Sequence, residues 1–146
     1  MQPILEAKNL LKNFPLNRGI LERKMAQVHA VRSVSFKVNK GETLGIVGES
    51  GCGKSTLARM LVGLTEPTNG DILIQNNKLD KKSQKSSLPR VIQYVFQDPI
   101  SSLNPRKTIR QVMNVPLTHL RKLSEKDREK QIKKLFKAVN LQEEFL

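Results

Sequence analysis

The sequence holds one cysteine, Cys52, no tryptophan and a single tyrosine in 146 residues, and aromatic residues make up only 4% of it. A lone cysteine excludes an internal disulfide framework. So few flat rings leave little on which to stack bases, which argues against a nucleic-acid-binding module even in a basic chain. Long apolar runs are missing as well. The stretch 57–64 is interrupted by Arg59 and falls far below the roughly 18 residues that a membrane span requires. The first ten residues lack the apolar core of a secretory signal, so the chain reads as cytosolic. Acidic residues are scarce, 13 Asp+Glu against 26 Lys+Arg, for a net charge of +13. That surplus fits a polyanion partner, whether nucleic acid, anionic lipid or nucleotide phosphate. With 38% hydrophobic residues, a chain of this length can still bury a core, and one domain is expected.

Strand and helix patterns alternate, which predicts an α/β class. Residues 4–10 are compatible with a strand, and 34–38 alternate apolar and polar with the period of a half-buried one. Between them, a basic connection over 15–30 with Pro15, Gly19, Arg23 and Lys24 is expected on the surface. The glycine-bounded apolar run 43–47 predicts a strand buried on both faces of a parallel sheet. Leu57, Leu61 and Leu64 space a helix over 54–64, stopped by the turn 66–70 and followed by a strand over 71–75. A polar loop over 80–87 precedes a β-rich segment, 90–96, read as another strand. Thr108 is an expected N-cap for a helix through Asn114 that Pro116 limits. Ser124 and Asp127 resemble a capping box, ahead of a stripe of Ile132, Leu135, Phe136 and Val139. That stripe is expected to be a core face.

One motif carries chemistry. Gly48, Glu49, Ser50, Gly51, Cys52, Gly53, Lys54, Ser55 and Thr56 spell G-x-x-x-x-G-K-[ST], after an expected strand and at the opening of an expected helix. The glycines let the backbone curl so that successive N–H groups face phosphate oxygens, reinforced by the positive end of the helix. Lys54 is placed to reach the β and γ phosphates, and the Ser55 hydroxyl to take one position on a Mg²⁺ ion that bridges them. Cys52 fills a variable position of the loop and is read as a filler, not a redox thiol. Asn77, Lys78 and Asp80 form N-K-x-D, the guanine-reading motif of GTPases, but they lie too soon after the loop and no D-x-x-G segment occurs. His29 and His119 have no partner at catalytic or metal-ligating spacing and read as ordinary surface or boundary residues.

The run Gly-Glu-Ser-Gly-Cys-Gly-Lys-Ser-Thr-Leu-Ala-Arg at 48–59, together with Val-Phe-Gln-Asp-Pro-Ile-Ser-Ser-Leu-Asn-Pro-Arg at 95–106, resembles the ATP-binding subunit of ABC-type oligopeptide or dipeptide importers. Within that group the chain is most similar to the F-type ATPase, judging from Leu-Lys-Asn-Phe-Pro at 11–15 and the basic insertion before Val-His-Ala-Val-Arg-Ser-Val-Ser-Phe at 28–36. The resemblance implies a P-loop NTPase core with an N-terminal antiparallel β region (1–40), a core running to the Q-loop (41–97) and the start of a helical subdomain (98–146). It implies ATP and Mg²⁺ as cofactors. It further implies that Gln97 contacts Mg²⁺ and the attacking water, and that Phe14 stacks on adenine. The implied partners are membrane permease subunits, a second ATP-binding subunit and, indirectly, a solute-binding protein, with the subunit held at the cytoplasmic face of the membrane. Nucleic acid is not an expected partner.

The sequence also departs from this family. It has no Ser-Gly-Gly-Gln signature loop, no apolar strand ending in Asp-Glu and no downstream switch histidine. By resemblance it looks truncated shortly before the signature loop. The expectation is that the chain binds MgATP and hardly turns it over, because Lys54 and Ser55 are present while a carboxylate base and the capping loop are not.

Overall fold

In the computed structural model the residues described are 2–16, 26–80, 88–98, 100 and 102–146. The expected polar loop at 81–87 and the middle of the basic connection, 17–25, lie outside them. The chain divides into two compact units, Met1–Tyr94 and Val95–Leu146.

The first unit is built on a four-stranded antiparallel sheet. Its strands are β1 (Leu5–Leu16), β2 (Ala26–Val38), β3 (Asn69–Ile74) and β4 (Asn77–Lys78), in the order β2-β1-β3-β4. β1 and β2 run longer than their apolar patterns predict, since Phe14 pairs with Val28 and Leu16 with Ala26. The ends of the basic connection therefore belong to a hairpin. Backbone pairing needs no apolar side chain, so these ends carried no hydrophobic signal. β1 bulges at Asn9, whose φ is 46°, and the bulge is tied down by the Asn9 amide donating to Ser35 Oγ at 2.7 Å. Across it lies Gly70 at φ 90°, where a Cβ would meet the Asn9 carbonyl oxygen at 2.3 Å. Only glycine fits against that bulge.

Helix α1 (Lys54–Leu61) covers the sheet with Leu57 and Met60, which join Ala7, Leu10, Val31 and Ile72 in one core. It ends earlier than expected, and Leu64 is left exposed. Gly63 at φ 71° donates to the Met60 carbonyl while the Leu64 amide donates to Arg59, the paired bonds of a glycine-terminated helix. The N-K-x-D match is structural: Asn77 and Lys78 form β4, and Lys78 pairs with Asp71 on β3 at 2.6 Å.

Two expected strands do not form. Residues 43–47 have no ladder partner and all are exposed, with Val47 at 92%. Within 90–96, Arg90 and Val91 instead close the short helix α2 (Leu88–Val91), and the rest is irregular. An apolar run becomes a parallel strand only when strands flank it, and no described residue supplies one here.

Glu6 on β1 lies 3.0 Å from Lys37 on β2 and 3.4 Å from Lys8. The hydrogen bond from Lys37 chiefly, with Lys8 adding to it against some desolvation, holds the Glu6 carboxyl below the usual glutamate range. A depressed carboxyl stabilises the fold above its unfolded value, and this contribution is lost as pH falls through the lower folded value. In a carboxyl-carbon NMR titration, Lys37→Ala is expected to move the Glu6 midpoint up toward the ordinary range. An unmoved midpoint would show that Lys37 is not its main partner.

The second unit pairs α3 (Ile109–His119) with α4 (Glu125–Ala138) around Leu117, Ile132 and Phe136, and ends in a 3₁₀ turn at Glu143–Phe145. Thr108 is the N-cap, and it forms the reciprocal capping box with Gln111. Ser124 caps α4 by accepting from the Asp127 amide at 3.2 Å. Pro116 lies inside α3 and does not end it. The residue next to it, Leu117, is buried against α4, so tertiary packing outweighs the one backbone bond a proline removes. Of the expected stripe only Ile132 and Phe136 are buried, while Leu135 and Val139 are exposed at 40% and 64%. The contact with Leu117 of α3 takes up only two of the four residues.

Candidate phosphate-binding site

The loop 48–53 reaches α1 through Gly53, which sits at φ 98° as the helix N-cap. A Cβ there would lie 2.0 Å from the carbonyl oxygen of Ala30 on β2. The second glycine of the motif is therefore set by two requirements at once, a left-handed turn and a backbone pressed against a strand. Gly48 and Gly51, at φ 153° and 81°, also hold positive values. Gly51 has open space around it, so its requirement is conformational alone.

No side chain caps α1. The Leu57 amide makes the first bond of the helix, to Gly53 at 2.8 Å, which leaves the amides of Lys54, Ser55 and Thr56 without intrahelical acceptors. These donors lie at the positive end of the helix dipole, an arrangement suited to an anion. Lys54 folds back across the loop: its Nζ donates to the carbonyls of Gly48 at 2.7 Å and Glu49 at 2.6 Å, with Cys52 Sγ at 3.5 Å. An ammonium has three donors, so the loop holds its own cation in reserve, and an entering phosphate must exchange for these carbonyls.

Beside the loop is a cavity of about 480 Å³. Its walls come from Gly51, Cys52, Gly53, Lys54 and Leu57, from Ile46 and Val47 ahead of the loop, and from β2 through His29 to Arg32 and Val34. Among the described residues its charged lining is cationic, Lys54 and Arg32, which favours an anionic ligand. Ile46 and Val47, expected inside a sheet, line this cavity instead.

Glu49, Ser50 and Ser55 are exposed on the loop and first helical turn, and Thr56 is half-buried. Phe14 is on β1, 41% exposed, with Lys12 Nζ 5.1 Å above its ring, and it is not among the cavity's lining residues. Gln97 is exposed and belongs to the second unit, whereas the loop belongs to the first. His29 lines the cavity, although its sequence context gave no sign of it. The signal lay in strand register, which pairs it with Asn13 across the hairpin.

Among the described residues no three His, Cys, Asp or Glu side chains gather to hold a metal. A divalent ion carried in with phosphate oxygens would find a suitable hard oxygen donor in the Ser55 hydroxyl. None of the helices formed by the described residues is long and apolar enough to cross a membrane.

Comparison with known proteins places the chain in a family. The chain is 42% identical over 147 residues to the oligopeptide transport ATP-binding protein AppF of Bacillus subtilis (strain 168), covering 99% of this chain and 45% of that protein. It is 43% identical over 145 residues to the dipeptide transport ATP-binding protein DppF of Haemophilus influenzae, covering 98% and 44%. The chain thus spans somewhat under half the length of these curated relatives. Among solved structures, the dimeric post-hydrolysis ATP-binding cassette MJ0796 bound to ADP and Pi superposes with a TM-score of 0.72 at 28% identity, over 97% of this chain and 59% of that one. The ABC transporter family matches residues 31–145, from β2 through the phosphate loop and on to the 3₁₀ turn, and the chain belongs to it.

Proposed function

We propose that this chain is the nucleotide-binding portion of an ATP-binding subunit that couples ATP binding and hydrolysis to peptide import through membrane permease subunits. The observation that carries this reading is the loop itself, with Gly53 pressed under the Ala30 carbonyl and Lys54 drawn across the Gly48 and Glu49 carbonyls. Lys54 then binds the β and γ phosphates, and the amides of Lys54, Ser55 and Thr56 hold the remaining oxygens. Ser55 is the loop residue that would hold Mg²⁺, whose chemistry when bound would be to neutralise charge on those oxygens, and the family resemblance assigns Gln97 a role toward the same ion. Gln97 also orients the attacking water, and Phe14 offers a ring face to adenine. Peptide as the cargo rests on the names of the relatives, and an ATPase of the same branch serving nickel or another small solute is the alternative. A second ATP-binding subunit and a solute-binding protein complete the expected assembly, at the cytoplasmic face of the membrane.

The 146 residues contain no apolar strand ending in Asp-Glu and no Ser-Gly-Gly-Gln loop. Binding and turnover therefore separate in this chain. Titration with MgATP at physiological salt is expected to saturate at one site, while steady-state phosphate release stays far below about 1 s⁻¹, the low end for enzymes. Release at that rate or faster would mean that another residue acts as base.

A further inference from the structure

We infer that His29 is a specificity-determining residue of the cavity, accepting a hydrogen bond at Nε2 from a donor group of the bound nucleoside. The inference rests on reading the cavity as a nucleotide site. His29 Nδ1 lies 2.8 Å from Asn13 Oδ1, and Asn13 Nδ2 donates to Gln27 Oε1 at 3.2 Å. The second bond turns the Asn13 amide so that its oxygen faces the ring. An amide oxygen only accepts, so in this arrangement the Nδ1 position is the donor and Nε2 is the ring position left to accept. No described residue bonds Nε2, and His29 is one of the residues that line the cavity.

The position of His29 selects the part of the ligand it meets. The Ala30 carbonyl abuts Gly53 of the phosphate loop, and His29 is one residue further along β2, toward the Val28–Phe14 pair. A triphosphate seated on the loop amides thus leads its nucleoside past His29. A lone-pair acceptor repels phosphate oxygens and pairs with N–H or O–H. The nucleoside offers two such groups, the sugar hydroxyls and the exocyclic amine of adenine. Lys54 and Arg32 remain to serve the phosphates.

The test compares His29→Ala with the unaltered 146-residue chain for binding of inorganic tripolyphosphate, ATP, 2′,3′-dideoxy-ATP and ITP, each with Mg²⁺. ATP binding is expected to weaken about three- to ten-fold, the usual worth of one hydrogen bond. Tripolyphosphate binding should not change, which also shows that the loop has kept its fold. His29→Gln, which presents an amide oxygen, should recover part of the loss. If the donor is a sugar hydroxyl, dideoxy-ATP loses the same factor in the unaltered chain and the variant no longer distinguishes it from ATP. If it is the amine, ITP behaves that way. Equal weakening of tripolyphosphate and ATP would overturn the inference in favour of a general electrostatic or structural role, as would equal weakening of ATP and both analogues. Failure of the unaltered chain to bind tripolyphosphate or ATP would overturn the phosphate-loop reading, and this inference with it.

Discussion

Lys54→Ala is expected to lower MgATP affinity by about 100-fold or more while leaving the melting temperature of the chain within a few degrees. The ammonium forms charge-assisted hydrogen bonds with phosphate, each worth about 1.5–3 kcal/mol, and at least two are lost together. A tenfold change corresponds to about 1.4 kcal/mol, so two such bonds span roughly two to four decades. The fold loses little by the same change. Lys54 is the first residue of α1, its contacts are to the loop it crosses, and alanine is the best helix former. The variant also separates a built cradle from general attraction. Removing one charge leaves a chain at +12, nearly as attractive to any polyanion as the original at +13. Isothermal titration of both proteins at physiological salt decides the matter. Comparable affinities would show that MgATP is held by diffuse charge, and the loop would lose its assigned role.

What the sequence disclosed depended on whether the signal was local. The phosphate loop was legible because each part of it, the turn glycines, the lysine and the helix start, sits within nine consecutive residues. Both N-caps, Thr108 and Ser124, were legible for the same reason, since each cap bond closes within four consecutive residues. The failures lie where structure depends on distant chain. Residues 43–47 have the composition of a buried strand, but pairing is a property of two segments, and none of the described residues provides the second. The extension of β1 and β2 was missed because polar residues such as Asn13 and Gln27 pair as readily through their backbones as apolar ones. The place of His29 is illegible in the sequence on the same ground. A histidine without sequence neighbours of catalytic type becomes a cavity wall only through hairpin register and the approach of Gly53 to Ala30. Met60, three residues from Leu57 and so on the same helix face, is wholly buried although the leucine spacing alone does not mark it.

The two motif glycines that flank Cys52 should respond differently to one added methyl group. At Gly51, φ is 81° and a Cβ meets nothing within 4 Å, so Gly51→Ala carries only the strain of a left-handed residue, about 1–2 kcal/mol. At Gly53, φ is 98° and the Cβ would fall 2.0 Å from the Ala30 carbonyl oxygen, a backbone atom that cannot rotate away. There the strain adds to an overpacking cost of about 1–3 kcal/mol, and either the loop lifts from β2 or the hairpin gives way. For a unit of roughly 100 residues, 1 kcal/mol shifts the melting temperature by about 4–8 °C, so Gly53→Ala should melt at least several degrees below Gly51→Ala. Nucleotide binding should separate them further, because a lifted loop no longer aims the amides of Lys54, Ser55 and Thr56 at one point. Gly70→Ala supplies the matched control, since its Cβ collides with the Asn9 carbonyl at 2.3 Å and Gly70 is not part of the cavity wall. At a temperature where all three variants are folded, Gly70→Ala should bind MgATP like the unaltered chain and Gly53→Ala should not. Equal binding by these two would mean that contact with Ala30 secures stability alone, and that the phosphate cradle holds its shape without it.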